Sequence, residues 1–352
     1  TSRLKVSEEL AKGTVPVTTL RAAIIIGSGS ASFEILKHLV KNSPFLLLPK
    51  WAYTNCQPIS IRDIIKYLIG VMEITKTKGK TYDIGGATTL SYVEMLKVFS
   101  GILNKKNLYV KTFLSNYTFY GYVASLLTPV PAQIVMALFE SAKNEVVCLN
   151  NDIKEVLKFQ PLSYQEAIVN ALDREEQDKI STRWSDAYPP AHELAIKLHE
   201  INRPEYISTH TLATNKLPEN LFKSICKVGG KDGWFNNNWM WRMRGMIDRV
   251  LMGVGTSRGR KSQSCLKLND VIGFWRVEDL EENRKLLLRA EMKLPGRAWL
   301  EFNVNPAMKE NILSVTAYFE HRGLWGRIYW YIFVPFHAIL FKNLLKAIAE
   351  RS

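Results

Sequence analysis

The stretch Asp270 to Phe319 reads DVIGFWRVEDLEENRKLLLRAEMKLPGRAWLEFNVNPAMKENILSVTAYF and decides the fold of the C-terminal half. It divides into four short runs. In the second run, residues on one side alternate with residues on the other, Leu286, Leu288, Ala290 and Met292 against Leu287, Arg289, Glu291 and Lys293. This period of two is typical of a half-buried strand. Turn-forming or charged residues separate the runs, at Glu281-Glu282-Asn283, Pro295-Gly296 and Asn305-Pro306. The stretch therefore predicts an antiparallel meander.

A sheet of this kind must bury one face against another layer. The next segment, Leu324 to Ile348, is rich in aromatic and aliphatic residues and predicts a helix that lies across the sheet. Its most apolar part, Ile328 to Phe341, contains Pro335 and His337 and falls short of the ~20 apolar residues that a membrane-spanning helix needs. We expect a buried or interfacial helix, with contact to a membrane surface as a further possibility.

Length and composition limit the class of protein. The 352 residues predict about two domains, and 47% hydrophobic with 23% charged residues is ordinary for a globular chain. The net charge of +14 arises from Lys and Arg residues spread along the chain. A dispersed charge favours a solvated basic surface, and we predict no nucleic-acid partner.

The cysteines and the first residues bear on location. Cys56, Cys148, Cys226 and Cys265 are far apart and form no CxxC pair, which is typical of reduced thiols in an intracellular protein. No basic and apolar signal segment follows Thr1. We expect a cytoplasmic protein, with association with a membrane surface as the alternative.

A strand, a glycine loop and a helix stand near the beginning. Val15 to Ile26 predicts a buried strand, GSGSAS at Gly27 to Ser32 predicts a loop, and Phe33 to Lys41 has helical spacing. The order imitates a dinucleotide-binding fingerprint, but FLLLPKWA occupies the place where that fingerprint has an acidic residue. Two interpretations stay open: the glycines make a structural turn, or they bring Ser28 and Ser30 near a ligand.

Local signals predict further elements of this half. They are an amphipathic helix at Ser60 to Met72, a strand at Tyr82 to Gly86, a helix capped by Ser91 and Glu94, two helices divided by Pro129 and Pro131, a strand at Val146 to Leu149, and a helix at Leu162 to Leu172. The charged stretch Asp173 to Pro190, ending in Pro189-Pro190, predicts a linker.

Three segments carry a family resemblance: TLRAAIIIGSGSASFEILKHL, LPKWAYTNCQPISIRDIIKYLIGVM and GKTYDIGGATTLSYVEML. They resemble the second half of an atypical, NmrA-like short-chain dehydrogenase/reductase (SDR), an NAD(P)-binding family with a Rossmann-like fold. The resemblance implies NADP or NAD as cofactor, with contacts at Arg21, Gly27 and Ser28. It also implies a substrate-side wall around Trp51 and Gln57, although Trp51 is equally interpretable as a lid over the core.

The resemblance also implies a missing part. In the family the glycine-rich loop that binds the dinucleotide lies in the first half, which has no counterpart in this sequence. The segment before Thr14 is similar to a helix that carries a catalytic Tyr and Lys; Arg3 stands near the Lys position, and the Tyr position precedes Thr1. We therefore expect a fragment of a longer oxidoreductase that is inactive by itself, with unknown catalytic residues.

The C-terminal half carries a second resemblance. Its motifs are WMWRMRG, SRGRK, DVIGFWRVE, AEMKLPGRAWLEF and RGLWGRIYWYIFVPFH. They resemble the DUF2867 domain from about Arg183 onward, and imply a helix-grip fold similar to the START and polyketide-cyclase group. A strand at Tyr206 to Ala213 and a helix at Glu219 to Val228 agree with that order of elements. Such a fold implies a cavity for a small hydrophobic or aromatic ligand.

Candidate ligand-binding residues of this half are charged or aromatic: Arg242, Arg244, Trp275, Glu291, Trp299, Glu301 and His337. Carboxylates and guanidinium groups on neighbouring strands form either a charge-compensated ladder on a solvent face or the polar floor of a pocket. Arg258 and Arg260 hold an anionic ligand or lie in a solvated loop. His337 is open to a core role. His321 and the pair His192 and His199 lack metal-ligand spacing with any Cys or carboxylate cluster, so no metal site is predicted.

The predicted fold class is therefore α/β plus α+β. An incomplete Rossmann-like half spans residues 1–172, a linker 173–205, and an antiparallel START-like domain 206–352. The predicted function is the substrate side of an NAD(P)-dependent SDR-type oxidoreductase joined to a hydrophobic-ligand-binding domain. The alternative is a non-catalytic ligand-binding or assembly subunit that uses the SDR-like half as a scaffold.

Overall fold

The computed structural model describes residues 2–176, 182–186, 196–201, 204–230, 233–235, 238–256, 258, 260, 266–307 and 309–352. Pro189-Pro190, His192, Cys265 and part of the SRGRK motif lie outside the described residues. The chain divides into two compact units. The N-terminal unit is Thr1–Thr128 with Gln133–Lys179, and the C-terminal unit is Pro129–Ala132 with Ile180–Ser352.

The N-terminal unit alternates helices with short strands. Its helices are α1 Ser2–Ala11, α2 Ala31–Asn42, α3 Ile61–Glu73, α4 Tyr92–Ile102, α5 Tyr117–Leu127, α6 Ala132–Ser141, α7 Asp152–Val156 and α8 Tyr164–Glu176. Its strands are β1 Thr19–Ala22, β2 Ile25–Ile26, β3 Phe45–Leu48, β4 Asn55–Cys56, β5 Ile59–Ser60, β6 Thr81–Ile84, β7 Leu90–Ser91 and β8 Leu108–Lys111.

Three of the strand pairs in this unit are parallel, β1 with β6, β2 with β5, and β3 with β8, while β4 and β7 pair antiparallel. Parallel pairs need a crossover connection, which the helices between the strands supply. The unit is therefore of the α/β class, as its sequence predicted.

Neighbouring residues in the sequence correctly predicted the ends of several of these helices. Ser91 and Glu94 form the predicted capping box at the start of α4. Pro129 and Pro131 lie between α5 and α6, as expected from the restrictions that proline places on a helix.

Other predictions for this unit were wrong in detail. The single strand predicted at Val15 to Ile26 is two short strands, β1 and β2. The strand predicted at Val146 to Leu149 is reduced to one bridge from Cys56 to Val146. The apolar side predicted for α3 is split, because Ile64 and Val71 are buried whereas neighbouring isoleucines are exposed. Each error concerns which surface a segment meets, and local sequence does not contain that information.

The C-terminal unit is built on one six-stranded sheet. Its strands are β9 Tyr206–Thr214, β10 Val271–Ile272, β11 Trp275–Glu281, β12 Lys285–Ala290, β13 Gly296–Asn305 and β14 Asn311–His321. Its helices are α9 Pro218–Ile225, α10 Asn238–Val250 and α11 Gly323–Glu350. The sheet is antiparallel throughout, in the order β10-β11-β12-β13-β14-β9.

The predicted meander is confirmed by the pairing of β11 through β14. Asn283 has a φ of 59° in the first turn, a left-handed conformation that asparagine tolerates. At the second break, a Cβ on Gly296 would lie 2.2 Å from the Glu320 carbonyl oxygen, so glycine is required there. Helix α11 packs on β9 and β14, as the apolar C-terminal segment predicted.

The strand β12 departs from the predicted half-buried pattern. Leu286 and Leu288 lie in the main core beneath the helices, but Leu287 and Arg289, on the opposite face, are buried as well. That face receives part of the 182–201 segment: the Leu198 amide donates to Glu278 Oε1 at 2.7 Å, and Arg276 Nη2 donates to the Ser185 carbonyl at 2.9 Å. The sheet is thus covered on both faces in this region.

His337 lies on the inner side of α11, against the rings of Trp330 and Phe341. Burial, followed by the nearby charge of His210, lowers the pKa of His337 from 6.5 to about 4. Between these pH values the unfolded chain binds a proton that the folded chain does not, so the free energy of unfolding falls as the pH falls.

We predict that this one histidine removes about 3 kcal/mol of stability between pH 7 and pH 4. Urea unfolding of the wild type and of His337→Phe across that range should show the difference, because the variant lacks the titrating group. His38, whose pKa burial also lowers to about 4, is present in both proteins and cancels. Parallel stability curves for the two proteins would contradict the prediction.

Candidate functional site

The N-terminal unit contains a cavity of about 650 Å³. Its walls are the end of β1, the inner face of α2, strand β3, and the helices α5 and α6, together with the turn that carries Trp51. Most of the lining side chains are aliphatic or aromatic. A concave, mostly apolar space of this volume is typical of a small-molecule site.

Trp51 supplies one unsatisfied polar group of this cavity. It lies in the 3-10 turn Lys50–Tyr53, and its ring packs against Phe139 at 4.9 Å and edge-on against Tyr120 at 6.1 Å between centroids. The indole N–H is buried and has no hydrogen-bond partner among the described residues. Buried donors are normally paired, so this N–H is available to an acceptor on a ligand.

A smaller cavity of about 260 Å³ adjoins the first, because Ala22, Ala23 and Val146 line both. Its remaining wall is polar. Arg21 Nε donates to Asp83 Oδ1 at 2.7 Å, and the Arg21 side chain is 55% exposed. The predicted residues Arg21, Gln57 and Trp51 therefore meet around two adjoining spaces.

Gln57 and Asp83 also hold the 146–149 segment in place. Gln57 Oε1 accepts from the Cys148 amide at 3.1 Å, and its Nε2 donates to the Gly86 carbonyl at 2.8 Å. Asp83 Oδ2 accepts from the Leu149 amide at 3.1 Å. Asp83 was not among the residues predicted from the sequence. Its position in the strand predicted at Tyr82 to Gly86, two residues before Gly85-Gly86, was a usable signal.

The glycine loop serves the fold. A Cβ on Gly27 would lie 2.8 Å from the Ile61 side chain, and Ser30 caps α2 by accepting from the Phe33 amide. Glu34 follows in the first turn, 3% exposed and paired with Lys37 at 2.8 Å. The first turn of α2 thus carries a carboxylate, whose side-chain partners are Lys37 and His38. Gly27 and Ser28 are not among the residues that line the two cavities.

In the C-terminal unit the predicted Glu291 lies between two arginines. Its carboxylate is 2.6 Å from Arg258 Nη1 and 2.5 Å from Arg276 Nε, with the Glu291 and Arg258 side chains fully buried. Burial by itself would raise the pKa of Glu291, but the two guanidinium groups hold it below its ordinary value. Arg242 and Arg244, the partners expected from sequence, lie elsewhere: Arg242 is exposed, and Arg244 donates to the Lys293 carbonyl.

Burial also decides between two interpretations of the charged strands. Arg276, Arg289 and Glu291 are all buried, so the solvent-face version of the ladder is wrong for them. Of the two alternatives for Arg258 and Arg260, the solvated loop is wrong, since both side chains are buried, and the anionic ligand stays a prediction. Arg258 donates to the Gly273 carbonyl, and Arg260 to the Cys226 carbonyl.

The predicted aromatic residues of this unit are packed against other rings. Trp275 contacts Trp234 and Trp241, which are stacked at 4.1 Å. Trp299, on the other face, is 1% exposed and donates from Nε1 to Glu278. Glu301 is half-buried and accepts from Asn303 at 3.1 Å and Tyr318 at 3.4 Å.

Metal chemistry would need a cluster of metal ligands, and thiol chemistry would need a reactive cysteine thiolate. In the part of the chain that the structure describes, no group of three His, Cys, Asp or Glu side chains is arranged to hold a metal ion. Burial raises the pKa of Cys56 to about 12 and that of Cys226 to about 11. Both are therefore poor nucleophiles.

A protein-family model described as "Protein of unknown function (DUF2867)" matches residues 201–344, which confirms that resemblance over this range. No curated protein matches the chain.

Solved structures with partial similarity include three bacterial proteins. They are Pal from Bacillus thuringiensis (11% identity, 50% of each chain covered, TM-score 0.36), UDP-glucuronic acid 4-epimerase from Bacillus cereus with UDP-glucuronic acid and NAD (15%, 49% of this chain and 50% of that one, 0.35), and dTDP-4-dehydrorhamnose reductase from Bacillus anthracis with NADP (13%, 44% and 47%, 0.32). The chain spans about half the length of these structures.

We predict that Glu291→Gln lowers the free energy of unfolding by about 3 kcal/mol or more, because the neutral amide removes the carboxylate charge that pairs with two buried guanidinium groups. Urea unfolding measures the change. Glu301→Gln is the matched control: its carboxylate is half-buried and pairs with neutral groups, so we expect a loss of about 1 kcal/mol or less. Equal effects of the two substitutions would show that the buried ion pairs contribute no special stability.

Proposed function

We propose that the N-terminal unit binds a small, mostly apolar molecule with one hydrogen-bond acceptor, and that it forms the substrate side of an NAD(P)-dependent SDR-type oxidoreductase. The observation that carries this proposal is the 650 Å³ cavity with the buried, unpartnered indole N–H of Trp51. A carbonyl or hydroxyl oxygen is the acceptor that suits a single neutral donor. Such a group is also the usual site of hydride chemistry.

The adjoining polar cavity supports a ligand with a polar end. Arg21 is more than half exposed, and its guanidinium has donors left after the single bond to Asp83. A carboxylate or phosphate on the ligand, or on the cofactor, would pair with it. Arg21 is thus the residue of this chain best suited to reach an NAD(P) molecule.

The dinucleotide would be held chiefly by polypeptide outside this sequence. A Rossmann site binds the pyrophosphate at a free helix N-terminus after a glycine loop. Here the Glu34 carboxylate already lies in the first turn of α2. The same observation favours the alternative function, a non-catalytic ligand-binding or assembly subunit, for the chain by itself.

For the C-terminal unit we propose a helix-grip architecture of the START type. Support comes from its order of elements, β9 and α9, then antiparallel strands, then the long α11. The ring packing of Trp234, Trp241 and Trp275 favours the N-terminal cavity as the principal ligand site. The described cysteines Cys56, Cys148 and Cys226 are free thiols, which supports an intracellular location.

The cavity proposal predicts binding of 2-acetonaphthone, an aromatic ketone, measured by saturation-transfer NMR and isothermal titration calorimetry. Val123 lines the cavity from α5, so Val123→Phe should weaken binding roughly tenfold or more by filling the space. Trp51→Phe should weaken ketone binding roughly five- to tenfold through loss of the indole donor.

Two controls sharpen this test. Leu126→Phe lies on the same helix but is exposed and outside the cavity, so it should leave the affinity unchanged. 2-Ethylnaphthalene lacks the carbonyl, so Trp51→Phe should affect it much less than the ketone. If Val123→Phe binds the ketone as well as Leu126→Phe does, the ligand does not occupy this cavity.

We also predict that the chain alone binds NADPH with a dissociation constant above about 1 mM, because the α2 N-terminus already carries a carboxylate. Calorimetric titration of NADPH into the chain measures this constant. Micromolar binding would overturn the prediction and would assign cofactor binding to this chain itself.

A further inference from the structure

Helix α11 exposes an apolar stripe. Among the described residues it is the one helix long and apolar enough to cross a bilayer, but 39% of its most apolar window is buried in the protein. Its inner side, including Phe341, Leu344 and Ile348, belongs to the core. Its outer side exposes large apolar residues over the first two-thirds of its length: Leu324, Trp325, Ile328, Tyr331, Ile332, Phe336 and Ile339.

Helix α10 adds a second apolar stripe in the same unit. Its exposed residues are Trp239, Met243, Met246, Ile247 and Val250. The Arg244 guanidinium of α10 lies near Tyr329 of α11, since its charge partly offsets the rise that burial causes in the pKa of Tyr329. We call these two stripes together the apolar surface. Groups of exposed large apolar residues, as opposed to scattered single ones, mark interaction sites on proteins.

Among the described residues, the exposed charges of α10 and α11 are mostly basic; Glu350 is the exposed acid of α11, and Glu205 pairs with Arg327 of the same helix. Arg242, Lys342 and Lys346 are exposed on these helices. Asp248, the single acidic residue of α10, is buried, and the single acidic residue of α11 is Glu350 in its last position. An apolar face bordered by cations complements an anionic lipid surface.

The aromatic residues point to the same partner. Trp239 and Trp325 are 63% and 76% exposed, and Tyr331 is 67% exposed. Each combines an apolar ring with a polar N–H or O–H, and such residues favour the boundary between headgroups and acyl chains.

We propose that the apolar surface docks on a membrane containing anionic lipid, with α11 lying in the plane of the interface. Spanning is disfavoured because it would remove the inner side of α11 from β9 and β14. A second copy of the chain is disfavoured because a symmetric interface would bring Arg242, Lys342 and Lys346 against like charges, with Glu350 as the single exposed carboxylate of the two helices to compensate them.

The test is co-sedimentation of the full chain with phosphatidylcholine vesicles that contain phosphatidylserine at about one third of the lipid, against pure phosphatidylcholine. We expect binding to the anionic vesicles, weaker binding to the neutral ones, and a decrease with added salt. Absence of binding to the anionic vesicles at low salt would overturn the proposal.

Two variants test the two components separately. Trp325→Ser with Ile332→Ser removes apolar area and should weaken vesicle binding roughly tenfold or more. Lys342→Glu with Lys346→Glu reverses two charges on exposed positions and should weaken binding to anionic vesicles roughly tenfold, with little effect on neutral ones. Lys342 and Lys346 are exposed and contribute nothing to the core. Their variant therefore keeps the test valid if Trp325→Ser with Ile332→Ser unfolds the protein.

A matched control removes apolar area elsewhere. Leu108→Ser with Phe113→Ser changes two exposed apolar residues of the N-terminal unit and should leave vesicle binding unchanged. Sedimentation equilibrium completes the design. The proposal would be overturned if both α11 variants retained vesicle binding. It would also be overturned by a concentration-dependent dimer that Trp325→Ser with Ile332→Ser abolishes, because a second copy of the chain would then cover this surface.

Discussion

Buried carboxylates are the constraint on which the loops of both units depend. A buried charge persists only when hydrogen bonds or a counter-charge compensate its lost hydration. Asp63 therefore accepts from the Leu162 amide, and Asp83 from the Leu149 amide. Asp248 accepts from the amides of Gly255 and Lys293, Glu278 from that of Leu198, and Glu291 pairs with two arginines. Each carboxylate fixes a segment distant in sequence, so regular elements and loops form a single arrangement within each unit.

Sequence predicted the features that local chemistry controls. The period of two and the turn residues specified the meander of β11 to β14, because side-chain alternation and turn conformation are properties of neighbouring residues. Ser91 with Glu94, and the pair Pro129 and Pro131, placed helix ends for the same reason. The double-sided burial of β12 was missed because it depends on Leu198 and Ser185, roughly ninety residues upstream, packing on the outer face.

In the candidate site, too, one part was predicted from the sequence and another part was not. Trp51, Gln57 and Arg21 were expected from the family resemblance of three short segments, and each lines one of the adjoining cavities. The opposite wall, with Tyr120 and Phe139, comes from helices far along the chain. No pattern within those helices shows what they face. For Glu291 the sequence suggested Arg242 and Arg244 of the arginine-rich α10 as cationic partners, whereas the fold supplies Arg258 and Arg276.

The two proposals reinforce each other through the chemistry of an apolar ligand. A molecule that suits the cavity beside Trp51 partitions from water into lipid by the same transfer free energy that favours its burial in protein. The C-terminal unit would dock on an anionic membrane, and the N-terminal unit, joined to it covalently, would then lie near the lipid in which the apolar ligand is concentrated. This raises the effective concentration of the ligand at its cavity without any new contact. Yet each rests on its own residues: the cavity on β1, β3 and α5, the docking surface on α10 and α11. Loss of lipid binding in an α11 variant with ketone affinity intact would show that localisation and recognition are separate properties of this chain.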